Sequence, residues 1–503
     1  MNDFASWLML FTIGLPMLGV LTALLLLARG RSGSENLDTV ATECVRFTML
    51  AACCSALLLV ALLSGAFGFR LELALWRIGT VLELAGPRPL RMEWACRMDL
   101  LSAAWIAALN GLSGLVLATA PRGTNGQPRA ALAVTAGLLN SAATMLVVSS
   151  SLTQLLVCWG TVSLTTWQMV GWTSRDGESS RNAAFSRADG GLSAIRRAIT
   201  TGLFADGLLV LAVLLMGIGC HTPVIDDIVS AEGLATLGEH NPALPGFIGC
   251  LLVFSVLGRS GLFPCFGWHA GAATWNRPVW TMVYLVGYVP AAMWLLLRFQ
   301  PLIASADAPR ALLSGLSTLA AVLGAFVACG QAHPRSASAF LVTSQIGVVY
   351  AALAAGLFDA ESWRAWSLGL PEAAPLASDV GRVVLGQVAV LIGTAFVWNR
   401  SRSTITYSAR EAWYQPLVQL SQRQLYVDEV AEFLFVTPLQ TWVKLARHGE
   451  RWLTDSLFPA FTVRLPGWFA QQFESLQIGH IEFDLAASLL GVVTVLITLL
   501  LVT

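Results

Sequence analysis

Long apolar runs dominate the chain, and polar residues are concentrated in the short segments between them. A membrane-spanning helix needs about 20 mostly apolar residues. By this criterion the sequence predicts twelve spans, at residues 6–28, 46–67, 98–119, 130–149, 151–172, 197–219, 245–263, 278–298, 310–330, 337–358, 381–399 and 484–502. The pattern therefore predicts an all-α fold, a polytopic membrane helix bundle.

Two segments depart from the apolar pattern. The stretch FRLELALWRI, in the loop 68–97, alternates with period two and predicts a small β-hairpin. Residues 412–483 are amphipathic, because Val430, Phe433 and Leu434 share one helical face with charged residues between them. This second segment predicts a C-terminal helix that lies along the membrane surface.

Composition supports a membrane protein and limits its chemistry. Hydrophobic residues make up 56% of the chain and charged residues 12%, whereas soluble domains have about 25% charged residues. This apolar composition leads us to expect a lipid bilayer around the chain. The formal net charge is zero, so we expect no nucleic acid partner. The nine cysteines form no C-x-x-C motif. We therefore expect no cofactor, no metal, no redox centre and no catalytic residue in this chain.

The placement of arginine predicts the orientation of the spans. Arginines lie in the loops 29–45, 120–129 and 173–196, whereas the loop 220–244 has none and holds four carboxylates. Because cytoplasmic loops are rich in basic residues, this asymmetry predicts that both termini lie outside, in a bacterial inner membrane. The loop 68–97 disagrees, since its five arginines fall outside; a small hairpin can be translocated whatever its charge.

Several motifs carry a resemblance to a known family. The stretch 259–298 resembles the antiporter-like subunits of respiratory complex I and of Mrp-type cation antiporters, and it looks most like the subunit 5, or L-type, chain. The positions that match are Gly258, Ser260, Pro264, Trp268 and Pro278, with Trp159 and Leu164 in an earlier helix and Ser344, Gln345 and Gly347 in a later one.

The resemblance implies where an ion pathway would lie. It suggests two helices broken near mid-membrane, with Pro264 and Pro278 at or near the breaks; the alternative is a helix end followed by a short loop. It implies that the ion-pathway candidates are Asp206, Arg259, Tyr284 and Arg335. It also implies that Arg259 is a partner or near neighbour of Asp206. The alternative is that Asp206 is hydrogen-bonded to Thr200 and Thr201.

The chain departs from the family at the residues that would carry protons. The family's glutamate is Gly160 here, its histidine is Tyr284, and its two lysines are Arg259 and Arg335. Arginine has a pKa above about 12 and does not release its proton in practice. The family also continues through further spans after residue 358, and the resemblance implies that about four of them are absent here.

These observations predict an antiporter-like membrane subunit of a proton-translocating NADH:quinone oxidoreductase of the complex I type. We expect a structural or coupling role with reduced or no proton conduction, beside other membrane subunits of a complex I-like assembly. Two alternatives are the membrane partner of a bicarbonate-uptake complex and a cation/proton antiporter subunit. The expected organisation is N-terminal spans and an outer hairpin at 1–97, an antiporter-like core at 98–358, a connecting span at 359–411, the amphipathic region at 412–483 and a final span at 484–503.

Overall fold

Helices dominate the structure, a computed structural model of the chain. It describes residues 2–28, 34–63, 73–84, 90–120, 127–173, 189–268, 277–331 and 334–355, with scattered positions from 384 to 451. The chain divides into two units, Met1–Asp428 and Glu429–Thr503. In the second unit the described positions, from 437 to 451, are helical, and Thr441 Oγ1 donates to the Thr437 carbonyl at 2.8 Å.

The first unit holds the elements that build the membrane bundle. It starts with α1 (Asn2–Ala28), α2 (Ser34–Leu63), β1 (Leu73–Leu84), β2 (Leu90–Met98), α3 (Leu100–Thr119), α4 (Gln127–Val147), α5 (Leu152–Thr173) and α6 (Asp189–Cys220). It continues with α7 (Ile225–Ile228), α8 (Ala231–His240), α9 (Leu244–Ser260), α10 (Arg277–Met282), a π-helical segment (Val283–Gly287), α11 (Tyr288–Arg298), α12 (Gln300–Ala304), α13 (Asp307–Gly330) and α14 (Pro334–Ala354).

Helices lie at the first ten predicted spans. Within the described residues, seven helices are long and apolar enough to cross a membrane, and α8 with α9 gives an eighth if that bent pair is one span. Helix α1 offers only a shorter apolar stretch, Leu10–Leu26, and α5, at the predicted span 151–172, is not among the helices that meet the criterion. The predicted span 484–502 lies outside the described residues, as do most of 381–399 and most of the amphipathic region 412–483. The total of twelve spans therefore stays a prediction.

The predicted hairpin is confirmed. Strands β1 and β2 pair antiparallel, from Leu84 opposite Leu90 near the turn to Leu73 opposite Met98 at the open end. The chain then turns directly into α3, because Asp99 accepts a hydrogen bond from the Ser102 backbone N–H at 2.7 Å and so satisfies a free donor of the first turn. Period-two alternation was thus a reliable signal for strands in an otherwise helical chain.

Polar contacts tie together one end of the bundle. The Arg97 backbone N–H donates to the Val148 carbonyl at 2.8 Å, and the Ile225 N–H donates to the Ser150 carbonyl at 2.9 Å. Asp226 forms ion pairs with both Arg97 and Arg298, the latter at 3.0 Å. The end of the hairpin therefore lies beside two interhelical turns and the end of α11. Spans that alternate in direction would place these segments at one end of the bundle.

Candidate functional site

Two helices cross closely at the centre of the candidate site. An added Cβ on Gly258 in α9 would lie 3.1 Å from the Ala205 Cβ in α6. Small residues at such a crossing let the two backbones approach. The next residue on each helix is ionisable, so the crossing brings Asp206 of α6 and Arg259 of α9 together.

Asp206 and Arg259 form the predicted ion pair. Arg259 Nη1 lies 3.1 Å from Asp206 Oδ1 and 3.4 Å from Oδ2. The arginine side chain is fully buried and the aspartate side chain is 17% exposed. The alternative for Asp206 is not seen, since the Thr201 hydroxyl donates to the Arg197 carbonyl of its own helix at 2.8 Å.

Helix α5 supplies two further donors to Asp206. Trp159 Nε1 donates to Oδ1 at 2.6 Å, and the Ser163 hydroxyl donates to Oδ2 at 2.7 Å. Residues four apart share one face of a helix, so α5 presents both donors from a single face. With Arg259, both carboxylate oxygens accept hydrogen bonds, which offsets the cost of placing a charge at membrane depth.

Aromatic rings flank the buried guanidinium. The Arg259 Cζ lies 4.1 Å from the ring centroid of Tyr288 and 5.0 Å from that of Trp159. Both distances are within the range of a cation–π contact. Arg259 Nε and Nη2 have no hydrogen-bond partner among the residues that the structure describes. The rings are therefore the main described contacts on that part of the guanidinium.

Tyr284 lies in the π-helical segment, within an aromatic cluster. Its ring is 4.8 Å from Trp280 and 5.5 Å from Trp268, centroid to centroid. Trp268 also packs edge-on against Tyr288, at 5.7 Å. The cluster thus connects Tyr284 through Trp268 to the aromatic wall of Arg259. A π-helical segment is rare and is often found at functional sites.

The two prolines lie where helices end and begin. Helix α9 ends at Ser260, and Gly261 takes the left-handed conformation, with φ of 63°, that glycine adopts most easily. Pro264 follows in the irregular segment, after a cis peptide bond. Pro278 is the second residue of α10. Backbone N–H groups in the first turn of a helix make no helical hydrogen bond, so proline, which lacks the N–H, is tolerated there. The departure from α-helix in this second span is the π-helical segment, five residues further on.

The end of α9 is also held by α14. The Ser260 hydroxyl and the Tyr350 hydroxyl are 2.6 Å apart, and both side chains are buried. Arg335, the fourth candidate, is the second residue of α14; its side chain lies outside the described part of the chain. The structure therefore brings together Asp206 and Arg259, with Tyr284 in the adjoining aromatic cluster.

The site has no glutamate at the position that follows Trp159. An added Cβ at Gly160 would have no neighbour within 4 Å among the described residues, and the same holds at Gly207, next to Asp206. Within the part of the chain that the structure describes, open space therefore borders the ion pair on α5 and α6. In the described ranges no group of three or more His, Cys, Asp or Glu residues could hold a metal ion.

Comparison with known proteins agrees with this arrangement. Residues 149–369, which contain the ion pair and the irregular segment after α9, match the family described as NADH:quinone oxidoreductase/Mrp antiporter, TM. This part of the chain is similar to the antiporter-like membrane proteins of that family. A subunit 5 of the chloroplast NAD(P)H-quinone oxidoreductase from Adiantum capillus-veneris is 28% identical over 217 residues, which cover 42% of this chain and 28% of that protein.

A second curated relative aligns over a similar share of this chain. The organellar chromatophore subunit 5 from Paulinella chromatophora is 25% identical over 224 residues, covering 44% of this chain and 31% of that protein. This antiporter-like chain thus matches less than a third of the length of these curated relatives.

Two solved structures share the fold. The Mrp complex from Dietzia sp. DQ12-45-1b contains a chain with a TM-score of 0.56 and 15% identity, covering 99% of this chain and 63% of that one. The archaeal membrane-bound sulfane sulfur reductase contains a chain with a TM-score of 0.58 and 14% identity, covering 88% and 97%. Both neighbours belong to multi-subunit membrane complexes.

Proposed function

We propose that this protein is a membrane subunit of a complex I-type NADH:quinone oxidoreductase, in which it has a structural or coupling role and conducts few or no protons. The observation that carries the proposal is the Asp206–Arg259 ion pair, with Nη1 and Oδ1 at 3.1 Å. A proton relay needs groups that gain and lose protons near neutral pH. Arginine keeps its proton, so Arg259 holds a fixed positive charge where a relay needs a titrating group.

The surroundings of the pair support the same proposal. Gly160 contributes no side chain beside Trp159. Tyr284 is packed between the rings of Trp268 and Trp280, and a phenol has a reference pKa of about 10. A proton relay is interrupted wherever one step lacks a titratable group, so the replacement of several such groups in one path is hard to compensate.

The finer organisation belongs to the same proposal. We infer twelve spans, both termini outside a bacterial inner membrane, and the division of the chain at residues 97, 358, 411 and 483. The amphipathic segment 412–462 would brace neighbouring membrane subunits by burying its apolar face against them. Its partners would be the other membrane subunits of the assembly and the surrounding lipid.

Proton uptake into vesicles tests the proposal. The purified complex is reconstituted, and the protons taken up per quinone reduced are compared between wild type, Arg259→Ala and Asp206→Asn. We expect the same ratio in all three once the amount of assembled complex is matched. Asp227→Asn, a carboxylate change outside the ion pair, is the control. If either site variant abolished uptake while assembly and quinone reduction stayed intact, Arg259 would be a working part of the channel.

A further inference from the structure

Aromatic rings line the span that leads to the ion pair. Trp280, Tyr284 and Tyr288 follow one another at intervals of four residues in the span Pro278–Arg298, and residues so spaced are neighbours on a helix. The Trp280 and Tyr284 rings are 4.8 Å apart, centroid to centroid, and the Tyr288 ring centroid lies 4.1 Å from the Arg259 Cζ. From Trp280 to Tyr288 the rings extend over about 12 Å, at 1.5 Å per residue. They therefore lie between the start of this span and Arg259.

Trp268 packs across these rings from the irregular segment after α9. Its ring centroid lies 5.5 Å from that of Tyr284 and 5.7 Å from that of Tyr288. Trp268, Tyr284 and Tyr288 are 1%, 3% and 2% exposed, and their neighbours Val283 and Val286 are 0% exposed. Close-packed, mostly apolar side chains thus fill this side of the ion pair. We name Trp268, Trp280 and Tyr284 the aromatic plug.

We infer that the aromatic plug is a barrier that keeps water, and with it protons and other ions, from reaching Arg259 along this span. The inference deepens the proposed function and rests on it. A fixed charge interrupts a relay of titrating side chains, but a continuous file of water would still carry protons past that charge. A narrow apolar constriction prevents this, because water is excluded from it by dewetting. The arginine and the plug are therefore two separate barriers to conduction.

The ring of Tyr284 is the central part of the plug. It contacts Trp280 on one side and Trp268 on the other, so removing the ring opens a gap between them, whereas removing only the hydroxyl does not. Large-to-small changes at buried aromatic residues leave cavities that the surrounding side chains fill only partly. Buried water occupies cavities that offer polar partners, and the Asp206–Arg259 pair offers such partners. The gap in a Tyr284→Ala variant should therefore hold water.

Passive proton entry tests the inference. The purified complex is reconstituted in liposomes without NADH or quinone, a potassium diffusion potential is imposed with valinomycin, and a trapped dye reports the internal pH. We expect protons to enter about tenfold faster with Tyr284→Ala than with the wild type, because the dewetted constriction is lost. Tyr284→Phe keeps the ring and should be as tight as the wild type. Trp294→Ala is the matched control, since Trp294 is 4% exposed and packs on Trp105 at 5.9 Å, outside the plug.

Restoring the ring chemically separates a lost barrier from a damaged fold. Tyr284→Cys should leak as Tyr284→Ala does. Benzyl methanethiosulfonate transfers its benzylthio group to the thiolate, which forms a mixed disulfide and releases methanesulfinate. The new ring should return the leak to near the wild-type rate. Methyl methanethiosulfonate adds no ring and should leave the leak unchanged, and the treated wild type controls for the native cysteines.

The outcomes distinguish this inference from the proposed function. Proton entry at the wild-type rate in Tyr284→Ala would show that this ring is no barrier. Equal leaks in Tyr284→Ala and Trp294→Ala, or a Tyr284→Cys leak that the benzyl reagent does not reduce, would show a general loosening of the bundle. Each of these results overturns the inference and leaves the proposed function standing. Loss of turnover-coupled uptake in Arg259→Ala, with assembly and quinone reduction intact, would overturn both, because protons would then cross the wild-type chain at the ion pair.

Discussion

Trp159 contacts both members of the ion pair. Its Nε1 donates to Asp206 at 2.6 Å and its ring lies 5.0 Å from the Arg259 Cζ. The indole therefore stabilises the carboxylate by a charge-assisted hydrogen bond and the guanidinium by its π face. Because it is 2% exposed, water cannot replace either contact.

Trp159→Phe should separate these two contributions. The variant keeps an aromatic ring but loses the N–H donor. We expect its free energy of unfolding to fall by about 1.5–3 kcal/mol, the range for a hydrogen bond to a charged group. Thermal unfolding of the purified protein in detergent measures the change. Trp7→Phe, at a tryptophan that is 59% exposed, should melt as the wild type does, and an equally stable Trp159→Phe would contradict the role of the indole.

A double-mutant cycle should reveal the coupling within the pair. Asp206→Asn or Arg259→Met alone leaves one buried charge without its partner, and each should cost about 3–5 kcal/mol. The double variant should cost clearly less than the sum, because it removes both charges. Four melting curves measure the coupling energy. The exposed pair of Arg310 and Asp307, at 3.0 Å, is the control cycle with little expected coupling; additive losses at Asp206 and Arg259 would show that the two charges do not interact.

The family resemblance implies the ion pair and includes Trp159, but it does not indicate the other groups around the pair. Asp206 and Arg259 stand out because they are ionisable residues inside apolar runs. Ser163 and Tyr288 do not stand out, because hydroxyl groups are common in membrane helices and usually bond to their own backbone, as Thr165 does to the Thr161 carbonyl at 2.7 Å. Their role depends on which helices face each other, and that is a tertiary property.

At the scale of elements, the hairpin could be predicted from the local sequence, whereas the π-helical segment could not. Strand alternation is a local signal, so β1 and β2 were predictable. The segment Val283–Gly287 is apolar and contains no proline, so nothing local distinguishes it from an α-helix. An added Cβ at Gly287 would lie 3.1 Å from the Thr166 Oγ1 of α5. This close approach is a packing constraint from another helix, which the segment's own sequence does not reveal.

Asp226 should hold the hairpin to the bundle. It pairs with Arg97 at the end of β2 and with Arg298 at the end of α11. Asp226→Asn should lower the free energy of unfolding by about 1 kcal/mol or less per pair, since the carboxylate is partly exposed, and should speed amide hydrogen exchange around Arg97. High salt should narrow the difference from wild type.

The neighbouring carboxylate provides the control for this change. The Asp227 carboxylate accepts a hydroxyl bond from Thr222 Oγ1 at 3.2 Å and forms no ion pair in the contacts described for it. Asp227→Asn should therefore leave hydrogen exchange in β2 unchanged. Equal effects of the two variants would mean that general loop charge, not the paired arginines, holds the hairpin in place.

At the scale of the whole molecule, an ion pair at one end of the bundle accounts for one of the arginines that the orientation rule does not explain. The loop 68–97 carries five arginines on the side predicted to be outside. One of them, Arg97, pairs with Asp226 of the acidic loop 220–244. Arg97 and Asp226 thus lie at the same end, where these two charges compensate each other.

Surface labelling should determine which face this end occupies. Glu232→Cys lies on α8, within the acidic loop 220–244, and Ser186→Cys lies in the arginine-rich loop 173–196. We expect a membrane-impermeant maleimide to label residue 232 in intact cells and residue 186 only after permeabilisation, because basic loops stay in the cytoplasm. Burial raises the pKa of the native Cys96 thiol at this outer end, and the weaker effect of its Gln154 hydrogen bond lowers it, so Cys96 should remain a poor nucleophile in both conditions. Labelling of residue 186 from outside would reverse the orientation of every span, and the Arg97–Asp226–Arg298 contacts would then lie on the cytoplasmic face.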